Sequence, residues 1–109
     1  MLKSVKDKEV EKWYNKLIFS KYRIKKLLYK SSYSYVFDGI YEKKATPVIV
    51  KIERKDRLLK CLESEVSFQI LLKGFGIPKV LGFGFSSSCP VKIEEKLGPT
   101  IYEIKKKKN

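Results

Sequence analysis

Residues 6–20 place their apolar side chains at Val10, Trp13, Tyr14, Leu17 and Ile18. This i, i+3, i+4, i+7, i+8 spacing predicts an amphipathic helix, with Asp7 and Glu9 near its amino-terminal end. Its polar face carries Glu9 and Glu11 among the lysines, which argues against a membrane-surface helix. The period then changes. Residues 22–29 and 35–41 are rich in aromatic and aliphatic side chains and flank KSSYS, so they predict a hairpin. EKKATP turns the chain into a third strand over 48–53. Residues 57–73 hold Leu58, Leu62, Val66, Phe68, Ile70, Leu71 and Leu72 with no Gly or Pro, which predicts a helix stopped by Gly74. GFGIP reads as a loop. Two further strands, 80–85 and 91–97, are joined by SSSCP, and Thr100 caps a short last helix.

The expected fold is α+β: a five-stranded antiparallel sheet with one main packed helix, plus the amino-terminal amphipathic helix. The organisation that follows is a helix over 1–20, a domain over 21–104 and a basic tail over 105–109.

At 109 residues the chain has the length of one domain, and 43% hydrophobic with 34% charged residues suits a soluble globular protein. No apolar run has the length of a membrane span, and the first residues, MLKSVKDKEVEKW, lack a signal-peptide core. The expected location is intracellular, cytoplasmic or nuclear. Cys61 and Cys89 have no histidine to join them in a metal site and are expected to be free thiols. A formal charge of +13 predicts attraction to acidic partners: nucleic acid, anionic membrane or acidic protein. The KKKK run at 105–108 supplies part of it as a solvated tail. Lysines and aromatics interleave in KWYNK and KYRIKK, without any RNA- or DNA-binding signature.

Three strands, a helix and two strands is the order of a protein kinase small lobe, and local sequences narrow the likeness. VIVKIE at 48–53, LESE at 62–65, GFGIPKVLGFG at 74–84 and EEKLGPTIYEI at 94–104 resemble the corresponding stretches of the casein kinase 1 family. With the strand order, the resemblance extends over residues 21–104. The resemblance implies that Lys51 is the lysine for the α- and β-phosphates and Glu65 its helix partner, with Glu63 the alternative. It implies that Val36 covers adenine, while Glu95 and Leu97 are the hinge positions whose backbone would bond the base. The same pair, Lys51 and Glu65, also suits a purely structural tie between strand and helix.

Departures from the family pattern point away from ATP. Tyr29, Ser31 and Ser34 stand where the family has the glycines that let a backbone approach phosphate. Ile49 replaces the small residue above adenine. Glu94 falls at the gatekeeper position, where a buried carboxylate without a partner would be costly. The expected site is therefore a degenerate ATP site, with no cofactor and no metal. The catalytic Asp and Asn and the D-F-G aspartate of the large lobe are not in this chain, which has no histidine for H-R-D. VFDG and GFGF lie within strands. The chain alone is expected not to be an enzyme, although it resembles a serine/threonine kinase.

Three roles are expected, two from the resemblance and one from the lysine excess. The first is a catalytically inactive protein that binds a protein partner, such as a kinase or kinase regulator. The second is a truncated piece of a serine/threonine kinase whose large lobe performs the phosphotransfer. The third is a basic nucleic-acid or membrane adaptor.

Overall fold

The computed structural model describes residues 8–54, 66–67, 69–71 and 77–97. After a short helix α1 (Lys8–Glu11) come β1 (Leu17–Ile18), β2 (Tyr22–Lys30), β3 (Ser34–Tyr41), β4 (Thr46–Glu53), β5 (Val80–Ser86) and β6 (Cys89–Glu95). The strands form one sheet in the order β1-β2-β3-β4-β6-β5, and every pairing is antiparallel.

The period-2 alternation of the sequence decides which face is the core. Tyr35 and Phe37 of β3, Val48, Val50 and Ile52 of β4, and Cys89, Val91 and Ile93 of β6 all bury on one face. Val10, Trp13 and Ile18 cover that face from the amino-terminal side, so residues 8–18 complete the core. Gly39 is there for packing: a Cβ would stand 3.0 Å from the Arg23 carbonyl oxygen and 2.9 Å from Val50.

The expected helix over 6–20 is corrected. Among the described residues the helix stops at Glu11, and Leu17–Ile18 is a strand paired with β2. Asn15, Phe19 and Ser20 have φ of 63°, 53° and 60°, left-handed values that no right-handed helix accommodates. Backbone bonds from Asn15 N to Ile24 O and from Ile24 N to Lys16 O, both 2.9 Å, draw the segment onto β2 instead. The helical spacing still sorted Val10, Trp13 and Ile18 inward, but Tyr14 and Leu17 are left exposed. The sheet thus has six strands rather than the expected five.

Smaller corrections follow from turn chemistry. Ser87 and Ser88 have φ of 51° and 68°, a two-residue link of the type I′ kind, so Cys89 and Pro90 belong to β6 and not to a loop. β6 ends at Glu95, short of the expected Leu97. Of the helix expected over 57–73, Val66, Ser67, Gln69, Ile70 and Leu71 are helical. The remainder, with Cys61, lies outside the described residues, as do Thr100 and the lysine run.

Two edges frame the sheet differently. At the start of β2, Arg23 grips Glu42 through a forked pair at 2.7 and 3.3 Å. That hydrogen bond holds the Glu42 carboxyl below its ordinary range. At the other side, among the described residues, β5 is the outermost strand. Its sequence, VLGFGFS, has no charge and no proline, and Leu81 and Phe85 are exposed.

Candidate functional site

Strand register places the expected nucleotide-facing residues in two rows on the face opposite the core. Val36, Lys51 and Lys92 are neighbours across β3, β4 and β6; Asp38, Ile49 and Glu94 form the next row. The ladder thus sets Val36, Ile49, Lys51 and Glu94 on one face in adjacent rows. Lys51 is half-buried in the middle of this face. Its expected partner Glu65, and the alternative Glu63, lie outside the described residues.

Glu94 is buried, and it is not alone. Lys92 Nζ lies 2.9 Å from Glu94 Oε1 and donates to Gln69 Oε1 at 2.6 Å. Gln69 Nε2 in turn donates to Glu94 Oε1 at 3.1 Å and to the Pro78 carbonyl at 2.6 Å. The cost expected of an unpartnered gatekeeper carboxylate is therefore offset by a cation and an amide. Such a pair adds little net stability, because both charges leave water, but it is costly to break. It also ties helical Gln69 to the sheet, a role expected of Lys51 and Glu65.

The residues expected to cover adenine are buried. Val36 and Ile49 are each only 2% exposed in the chain by itself. Lys96 Nζ reaches Asp38 Oδ1 at 2.9 Å. Asp38 is on β3 and Lys96 follows the end of β6, so this pair crosses β4 beside Ile49. Of the hinge positions, Glu95 bonds Lys79 twice: its N–H donates to the Lys79 carbonyl at 3.0 Å, and its carboxylate accepts the Lys79 N–H at 2.9 Å. Leu97 projects into solvent, 59% exposed.

The loop without glycine has its own internal order. Ser31 Oγ accepts the N–H groups of Tyr33 at 3.0 Å and Ser34 at 3.1 Å, and Ser31 N–H donates to the Ser34 carbonyl at 2.9 Å. These are backbone donors of the sort a phosphate loop aims at its ligand, and here a serine hydroxyl and a carbonyl occupy them. Arg54 fastens the loop from outside. Its guanidinium donates to the Ser31 carbonyl at 3.1 Å and lies 3.2 Å from Glu9 Oε1, which also accepts the Tyr35 hydroxyl at 2.8 Å. Helix α1 is thereby linked to the loop through Glu9.

Sequence reasoning missed three of these contacts: Lys92 with Glu94 and Gln69, Lys96 with Asp38, and Glu9 with Arg54. The first had a signal, since Lys92 and Glu94 are two apart in one strand and must share a face. Gln69, Asp38 and Glu9 had none, because each meets its partner only through the tertiary fold.

No family model matches the chain, and no curated protein matches it in sequence. A solved structure does resemble it: the kinase domain of PF14_0431, with a TM-score of 0.66 and 18% identity over 85% of this chain. The fold is protein-kinase-like. The chain spans 29% of that chain's length. No helix among the described residues is long and apolar enough to cross a membrane.

Proposed function

We propose that this chain is a small-lobe protein of the casein kinase 1 type that no longer uses ATP and acts by binding another protein, such as a kinase or a kinase regulator. One observation carries the reading: Val36 and Ile49, the side chains that would cover adenine from the sheet, are already buried at 2% exposure each. The Ser31-centred loop and the Lys96–Asp38 pair support it, because each uses groups that a nucleotide would have to displace.

Mg-ATP should leave the melting temperature unchanged. A ligand at one hundred times its dissociation constant stabilises by roughly 2.7 kcal/mol, which a thermal shift detects readily. A dose-dependent rise at millimolar Mg-ATP, lost in Lys51→Met, would refute the reading.

The partner surface in this proposal is apolar. Leu97, Leu71 and Ile70 are all more than half exposed, at 59, 75 and 58%. Exposed apolar area of this kind marks interaction sites. Leu97→Asp should therefore abolish co-purification of the partner from native cells, while a shortened lysine tail should only weaken it. The reverse pattern would favour an electrostatic adaptor.

A second reading rests on the likeness to the PF14_0431 kinase domain. Because the chain covers 29% of a kinase-domain chain, it also suits a portion of a serine/threonine kinase. A dose-dependent ATP shift would favour this reading.

A further inference from the structure

We infer that the outer flank of β2 and its hairpin tip form a binding surface for single-stranded nucleic acid. This inference does not rest on the kinase-like reading of the function.

The charge distribution comes first. Residues 24–37 contain three lysines, three tyrosines and no carboxylate. Lys25, Lys26 and Lys30 are exposed, and β1 covers β2 only at Tyr22 and Arg23. The one acid opposite this stretch in the β2–β3 ladder is Asp38, paired across from Lys26, and Lys96 already holds it at 2.9 Å. The charge of Lys26 is therefore not cancelled by its strand partner.

The rings come second. Tyr29 is 44% and Tyr33 57% exposed, unusually open for tyrosines in and beside a strand. A register shift lies between Leu27 and Tyr29: Lys26 pairs with Asp38 and Tyr29 with Val36. Asp38 and Val36 share a face, so this bulge sets Tyr29 on the same face as Lys26, three residues away. A regular strand would place the two on opposite faces. Lys26 and Tyr29 therefore share one face of a strand of nine residues, roughly 30 Å at about 3.3 Å per residue, and Tyr33 stands in the tip beyond its end.

Phosphates spaced along a flexible strand would meet the lysine ammonium groups, and unpaired bases would stack on the tyrosines. A duplex keeps its base faces hidden, and the carboxylates of an acidic peptide offer no ring to stack on Tyr29 and Tyr33. The glycine-less loop thereby acquires a use: tyrosine at its first position supplies a stacking platform where glycine supplied closeness to phosphate.

The test uses the full chain and a labelled single-stranded RNA oligonucleotide of about a dozen nucleotides, followed by anisotropy at several salt concentrations. The expected result is binding that weakens with salt. Lys25→Gln/Lys26→Gln should lower the log–log salt slope by about 1.4, at about 0.7 for each phosphate no longer neutralised. Tyr29→Ala and Tyr33→Ala should each weaken binding by about tenfold, within the range for one stacked base. Tyr33→Trp should retain it. Removing residues 105–109 should lower affinity overall and leave the tyrosine effect intact, with circular dichroism confirming that each variant is folded. Equal affinity for an abasic oligonucleotide would overturn the inference. So would equal competition by polyglutamate or phosphatidylserine vesicles, or tyrosine variants that bind as well as the parent.

Discussion

Trp13→Ala should cost about 3–5 kcal/mol, the usual penalty for emptying a buried tryptophan site. Trp13 is 1% exposed and belongs to the same apolar cluster as Phe37, Val50 and Val91. Lys16 adds to its seat: the ammonium sits 4.7 Å from the ring centroid and also donates to Ser87 Oγ at 2.8 Å. A domain of this size has about 5–15 kcal/mol of total stability, so the loss would consume a large share of it. Thermal melts should fall by at least roughly 12 °C, at about 4–8 °C per kcal/mol. A helix resting on the outside of a self-sufficient domain would behave differently, and its removal would cost little. A change of only a few degrees would therefore show that residues 8–18 are dispensable to the core.

Lys92→Met should be nearly as damaging, by about 3–5 kcal/mol, because it strands the Glu94 carboxylate without its cation. The informative variant is the combination. Lys92→Met/Glu94→Leu with Gln69→Leu replaces the whole polar cluster by apolar volume and should recover most of the loss, as buried ion pairs elsewhere tolerate such exchange. Urea unfolding of the single and combined variants forms a cycle whose coupling energy measures the network. If the combined variant is no more stable than Lys92→Met alone, the side chains at 69, 92 and 94 do not act as a unit. That outcome would return the strand-to-helix tie to Lys51 and the helix glutamates.

The strands were readable because their side-chain alternation is regular: Val48, Val50 and Ile52 facing one way is a pattern few other structures explain. Their limits were less so. The sequence offers no glycine at Asn15, Phe19, Ser87 or Ser88, yet all four adopt left-handed backbone, so the breaks that end α1 and shorten the last hairpin were hidden. The Leu27–Tyr29 register shift was equally invisible, since a bulge leaves no compositional mark. At the candidate site the common face of Val36, Lys51 and Ile49 was legible from motif spacing. What packs around it was not. Whether a carboxylate at position 94 is a defect or a satisfied group depends on Gln69, which comes from another element. Local sequence carries no information about such meetings.

β5 has a consequence for handling the protein in solution. Among the described residues it is the outermost strand, seven residues long with no charge, no proline and two exposed apolar side chains, the kind of edge that other chains can extend. A charge of +13 on every molecule opposes that contact by mutual repulsion. The two properties are coupled: colloidal stability is highest when the molecule is farthest from any polyanion. Neutralising the lysines with nucleic acid or concentrated salt removes the repulsion and leaves the β5 edges free to stack. Turbidity near charge equivalence would then reflect strand-edge association, and a binding curve taken there would overstate affinity.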